Sequence, residues 1–298
     1  THRTQCRESV SQGLERVRQA ARLRKKERFT ALMHHVTVER LWAGFDALKQ
    51  RSAPGIDGVT WHDYEANLIP NLRALHARLH DGRYKAQPVR RRYIPKPDGS
   101  VRPLGVTALE DKIVQRAVVE VLNAIYESDF RGFSYGFRPG RGQHDAMDAL
   151  AFGIQAQRVN WILDADIRGF FDSLSQEWLI KFLEQRIGDR RMIRLIQKWL
   201  RAGVLDEGEW SVSATGTIQG AVISPLLANV FLHYVFDLWA DRWRRAEARG
   251  KVIIVRYADD IVLGFEHEAD ARQFWDAMRA RLEHFGLELH GGKTRLIE

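Results

Sequence analysis

The 298-residue chain is 45% hydrophobic and 28% charged, a balance that fits a folded globular protein of two subdomains. It contains no run near the roughly 20 apolar residues of a membrane span and no apolar signal-peptide core. Its single cysteine, Cys6, excludes an internal disulfide framework. These features point to a reducing, cytoplasmic setting with no membrane partner. The net charge of +8 is uneven: residues 1–40 hold ten Lys/Arg against four Asp/Glu, and residues 83–102 hold seven basic residues against Asp98. Two basic segments on a mildly acidic remainder suit a surface that tracks phosphates; a solvated basic face accounts for the same charge.

In chain order, residues 10–34 read as a basic helix, with Leu14, Val17, Ala21 and Leu23 on one face. Residues 52–58 are dense in turn formers and mark a loop, followed by a helix near 63–80. Val89 to Ile94 reads as a strand, Pro97-Asp98-Gly99 as a hairpin turn, and Val101 onward as the return strand. Ile113, Val114, Ala117, Val118, Val121, Leu122 and Ile125 share one face of a helix over 109–127. A Gly/Pro-rich loop at 134–142 precedes a helix at 143–157. Trp161 to Ile167 reads as a buried strand with acids at its end. Helices follow near 175–186 and 189–202, and Ser224-Pro225 starts a long one reaching about 248. Val252–Arg256 and Ile261–Phe265 are short strands, and a helix from 268 to 285 stops at Gly286. The β-α-β-β-α order over 160–290 suits an antiparallel sheet backed by helices.

Asp259-Asp260, between the last two strands, carries the most information. Tight hairpin turns favour Asn-Gly or Asp-Gly, and nothing in a turn requires two adjacent acids. By itself, such a pair most often only blunts an exposed turn. Asp166 ends another apolar strand, and neighbouring strands lie about 5 Å apart. If those strands pair, three carboxylates converge where oxygen-preferring Mg²⁺ ions would bind, the arrangement of two-metal phosphoryl transfer.

Tyr257-Ala258-Asp259-Asp260 and Asp166-Ile167-Arg168-Gly169-Phe170-Phe171-Asp172 resemble two palm motifs of reverse transcriptases. Ala53 to Val59, Ile94 to Gly99, Tyr135 to Gly140 and Ile223 to Asn229 complete six motifs in register, spanning about residues 28–298. Together they resemble the fingers and palm of group II intron reverse transcriptase–maturases. The resemblance implies an α+β, right-hand polymerase fold with a basic extension (1–40), fingers (41–157) and a palm (158–298) whose antiparallel sheet is backed by helices. It implies RNA-directed DNA synthesis from dNTPs on an RNA template, extending a DNA or RNA primer with two Mg²⁺ ions. Asp166, Asp259 and Asp260 would be catalytic metal ligands, helped by the backbone carbonyl of Ile167. Lys96 and Arg102 would clamp the triphosphate, Phe171 would gate the sugar, and Gln219, Gly220 and Lys293 would line the nucleotide.

For the phosphate-contacting set, Arg24, Lys25, Lys26, Arg28, Arg91 and Arg138 are the candidates, with Arg116 weaker; a lone arginine is as readily a structural ion pair. Ile218 and Ala221 replace the proline and glycine usual around the Gln-Gly pair, and Gly291-Gly292 replaces more polar residues before Lys293. The chain stops just after the palm, so the resemblance implies a thumb absent here and further domains in a longer protein, with low processivity from this chain. Two alternatives are a maturase that binds intron RNA to aid splicing and an RNA-dependent RNA polymerase. Tyr-Ala-Asp-Asp and the Phe171 gate argue against the latter.

Overall fold

The apolar stripe on Leu109–Tyr126 explains the centre of one half of the molecule. All seven residues that periodicity assigns to its face are fully buried, each Val, Leu or Ile contributing about 1.5–3 kcal/mol relative to exposure. Helix Val38–Asp46 packs on it so closely that a Cβ at Gly44 would lie 2.9 Å from the Ile113 carbonyl oxygen. The computed structural model describes residues 2–298 except 96–98, 100, 207, 213 and 214, with side chains from Gly13 onward. Among these, no helix is long and apolar enough to cross a membrane.

Eight strands are present among the described residues: β1 (Val89–Pro95), β2 (Val101–Val106), β3 (Trp161–Asp166), β4 (Val204–Asp206), β5 (Glu209–Ser211), β6 (Val252–Tyr257), β7 (Asp260–Phe265) and β8 (Arg295–Ile297). Contacts divide the chain into two compact units, residues 1–129 with 183–224, and residues 130–182 with 225–298. Unit 1 holds a sheet ordered β2-β1-β4-β5, and unit 2 an antiparallel sheet ordered β6-β7-β3-β8. In unit 2, Phe265, Phe274, Met278 and Leu282 bury the face between β7 and helix Glu268–His284. That helix ends at Gly286, whose φ of +78° is cheap for glycine.

Several elements differ from the reading of the sequence. The N-terminal helix spans His2–Leu23 rather than 10–34, and Leu23 is 83% exposed while Leu14, Val17 and Ala21 are buried. Arg186 ends it: its guanidinium donates to the carbonyls of Ala21, Arg24 and Glu27 and pairs with Asp129 at 2.8 Å. The segment near 63–80 is two helices, Trp61–Glu65 and Leu68–His80, the first with a Thr60–Asp63 capping box. The long helix after Ser224 contains a π-helical turn, His233–Asp237, between Ser224–Leu232 and Leu238–Ala246. The hairpin β4–β5 and strand β8 are too short, at three residues each, to show alternation. The β1–β2 hairpin forms in antiparallel register; its expected turn residues Pro97 and Asp98 lie outside the described residues.

Candidate active site

Unit 2 brings the first and last of the three aspartates together by strand register. β3 and β7 run antiparallel with Asp166 directly opposite Asp260, a pairing whose Cα atoms lie about 4.5–5.5 Å apart. β6 and β7 pair up to Tyr257 and Asp260, so Ala258 and Asp259 form a two-residue turn beside that pair. Ala258 has φ +56° and is buried. A left-handed conformation costs an alanine what glycine avoids, so its surroundings must hold the turn.

Arg256 supplies that hold. It is fully buried, and its Nη1 donates to the Ala258 carbonyl at 2.8 Å and to Asn229 Oδ1 at 3.0 Å. Nε and Nη2 fork onto Asp237 at 2.7 and 2.6 Å, and Nη2 also reaches Ser134 Oγ at 2.7 Å. Asn229 donates in turn to the Gly136 carbonyl at 2.7 Å. A Cβ on Gly136 would sit 2.3 Å from the Ala258 nitrogen, so only glycine fits against the turn. Sequence reading assigned no role to Arg256, Asp237, Ser134 or Asn229. An arginine ending the apolar run Val252–Val255 and an aspartate inside an apolar helix were the available signals.

The acids repel. Burial, then Asp166, then Asp164 push the Asp260 carboxyl above its ordinary value, while Lys293 opposes the shift. Lys293 Nζ lies 2.8 Å from Asp166 Oδ2. Its position follows from tertiary pairing: β8 lies beside β3, and the His290 amide donates to the Asp166 carbonyl at 2.8 Å. Among the described residues, no group of three or more His, Cys, Asp or Glu side chains stands ready as a metal cage. The strand register sets Asp166 opposite Asp260 beside the Asp259 turn, with Lys293 paired to Asp166. The donor set still fits a hard divalent cation, being carboxylate oxygens whose repulsion a cation would relieve.

The remaining candidates divide by unit. In unit 2, Phe171 is half-buried, its ring edge-on to the buried Phe170 at 5.4 Å between centroids. Ile167 is buried and bridged to Leu289. Arg138, one of the phosphate-contact candidates, turns inward in this structure. It is buried, with Nη1 donating to the carbonyls of Arg131 and Ser134 and its guanidinium over the Phe130 ring. A Gly/Pro loop with few internal backbone bonds needs such a donor.

In unit 1, Arg102 is exposed on β2, and Lys96 lies outside the described residues. The Gln219 carbonyl accepts from the Gly105 amide at 2.7 Å, and Gly220 has φ +106°. A Cβ at Gly105 would come within 2.3 Å of Ile218 Cγ2, so the residue replacing the usual proline packs on β2. Arg24 pairs with Glu27 at 3.2 Å, and Lys25 donates to the Ser128 carbonyl and lies 3.7 Å from Asp129. Lys26 is exposed and Arg28 is also exposed; Arg91 is half-buried, and Arg116 is exposed on helix Leu109–Tyr126.

The sheet with its acidic hairpin turn and covering helices is the palm of a right-hand polymerase, in an α+β fingers–palm fold. Two solved structures share the fold: the apo telomerase from Candida tropicalis truncated from its C-terminal domain (TM-score 0.54, 16% identity, 77% of this chain and 55% of that one), and telomerase from Candida albicans in complex with a fragment of telomeric RNA (TM-score 0.51, 15% identity, 73% and 44%). Residues 94–298 match the model of the reverse transcriptase (RNA-dependent DNA polymerase) family, and the chain belongs to that family. Its relatives include protein YkfC of Escherichia coli, 37% identical over 72% of this chain and 64% of that protein. The group II intron-encoded protein LtrA of Lactococcus lactis is 33% identical over 74% of this chain and 37% of its own length. A putative COX1/OXI3 intron 1 protein of Saccharomyces cerevisiae is 32% identical over 72% and 26%. The chain thus spans less than two thirds of each of these relatives.

Proposed function

We propose that this chain carries the fingers and palm of an RNA-directed DNA polymerase, with Asp166, Asp259 and Asp260 as its catalytic carboxylates. The observation that carries the reading is the register of β3 on β7, which sets Asp166 opposite Asp260 beside the Asp259 turn in a chain of this family. Asp166 and Asp260 face each other from rigid strands, and Asp259 is carried on a turn that Arg256 braces from beneath. Two Mg²⁺ ions bound there would supply Lewis-acid activation of a primer 3′-hydroxyl and charge neutralisation of the departing pyrophosphate. Lys293, already at Asp166, would offer positive charge to the triphosphate, and Phe171 would meet the sugar. Lys96 and Arg102, with the Gln219–Gly220 loop docked on β2, would hold the nucleotide from the fingers.

Primer extension with dNTPs on a primed RNA template tests this. Wild type should extend, and Asp259→Asn should fall by at least about a thousandfold with its circular dichroism unchanged; undiminished extension by the variant rejects the assignment. Feeding rNTPs in place of dNTPs separates DNA from RNA synthesis. A second reading follows from the names of two of the relatives, a group II intron-encoded protein and a putative intron 1 protein: a maturase role in which the chain binds intron RNA. Splicing assistance retained in full by Asp259→Asn would show that role to be independent of polymerisation.

A further inference from the structure

Unit 1 carries a basic groove that the polymerase chemistry does not use. It has a volume of about 890 Å³ and lies between the 82–88 loop, helix Arg190–Leu200 and the β4–β5 hairpin. Arg83, Lys85, Arg194, Lys198 and Arg201 line it, and no carboxylate does among the described residues. Arg194, Lys198 and Arg201 fall at i, i+4 and i+7, one stripe opposite the buried Met192, Ile193, Leu195, Ile196 and Trp199. Like charges at that spacing repel and destabilise a helix slightly. Lys198 turns to the carbonyls of Gly82 and Tyr84 at 3.2 and 2.5 Å, and Arg83 pairs with Asp81 at 2.6 Å. Arg194, Arg201 and Lys85 are exposed.

Trp210 closes the groove. A tryptophan in a surface hairpin ordinarily hides its ring, yet this one is 61% exposed. It is nonetheless seated: Nε1 donates to the Ala202 carbonyl at 3.4 Å, and the ring fills the space a Cβ on Gly203 would need, 2.5 Å from Nε1. Gly203 itself has φ +79°. A fixed, exposed indole beside a track of cations is the combination that binds single-stranded nucleic acid, bases stacking on the ring and phosphates meeting the basic side chains.

We propose that this groove is a binding site for a single-stranded nucleic-acid segment, with Trp210 as the stacking platform and Arg194, Arg201 and Lys85 as phosphate contacts. It lies in the unit that holds none of the three aspartates, and its binding does not depend on their chemistry. The test uses the whole chain and eight-nucleotide oligopyrimidines, as RNA and as DNA, bearing one 5-iodo base. Ultraviolet cross-linking followed by peptide mapping should place an adduct on Trp210. Trp210→Ala should weaken binding in fluorescence anisotropy about tenfold or more, with Trp210→Phe restoring most of it. Arg194→Gln/Arg201→Gln should lower the salt dependence of binding by about two phosphates' worth.

Preference of the groove for RNA or DNA is read from the two oligonucleotide arms. Adducts only elsewhere, together with unchanged affinity in Trp210→Ala, would overturn the proposal, as would binding only of an acidic peptide competitor. Primer extension by the same preparations keeps a failure here distinct from failure of the polymerase reading.

Discussion

Arg256 and Asp237 are both fully buried and bonded to each other through two parallel hydrogen bonds. Such a pair gains little over a well-packed apolar one, but removing a single partner strands a charge in the interior, at about 3–5 kcal/mol. Arg256→Met should therefore lower the denaturation midpoint sharply, and Arg256→Met/Asp237→Leu should recover much of it. The double variant should still extend primers poorly, since the Ala258 carbonyl has lost its donor. Full activity in the double variant would show that the turn needs no brace.

His233, one turn away in the π-helical segment, behaves differently. Burial holds its imidazole down to about 4 from the ordinary 6.5, with Arg256, Arg131 and Arg138 adding to the shift and Asp237 opposing it. At neutral pH it is uncharged, so the 3.8 Å approach to Asp237 is not an ion pair. Below about pH 6.5 the unfolded chain binds a proton that the folded one refuses until about pH 4, so stability falls as pH drops through that window. At pH 5 this amounts to about 2 kcal/mol. The unfolding free energy of wild type relative to His233→Leu, from urea titrations, should fall by roughly that much between pH 7 and pH 5; an unchanged difference would remove His233 as the cause.

At the level of elements, the periodic ones were readable and the short ones were not. Helix Leu109–Tyr126 and strands β3, β6 and β7 announce themselves because one face or both faces meet a core. β8 has three residues, and it matters because Lys293, two residues before it, pairs with Asp166. Its pairing depends on the partner strand and leaves no local pattern. The π turn is equally silent; it holds Asp237, whose partner Arg256 on β6 is distant in sequence. The turn between β6 and β7 was legible as acids, while its support was not: Gly136 lies 122 residues before Ala258 in numbering. Gly136→Ala should disturb the turn directly and reduce primer extension at least tenfold, while far-ultraviolet dichroism stays native. Normal extension would mean the turn can shift away without consequence.

For the molecule as a whole, contacts do not follow the order of the chain, which leaves unit 1 after residue 129 and returns to it from 183 to 224. The returning segment is what fastens the N-terminal region. Arg186 gathers carbonyls from the end of the first helix, and Asp189 accepts from the amides of Leu32 and Met33 at 2.8 and 2.9 Å while capping helix Arg190–Leu200. Arg186→Met should free residues 14–29, seen as faster amide hydrogen exchange there with little change in β6 and β7. Unchanged protection would place the anchor elsewhere.

Family and fold class were present in the amino-acid order alone, because apolar periodicity and motif residues are local properties of the chain. Which charges face one another was decided only in three dimensions. Lys293 came to Asp166 through a strand pairing, Arg138 and Arg256 turned inward to satisfy carbonyls and a carboxylate, and Trp210 stayed outside on its glycine seat. A side chain's charge is written in the sequence, but its partner is set by whichever distant backbone folding brings within about 3 Å.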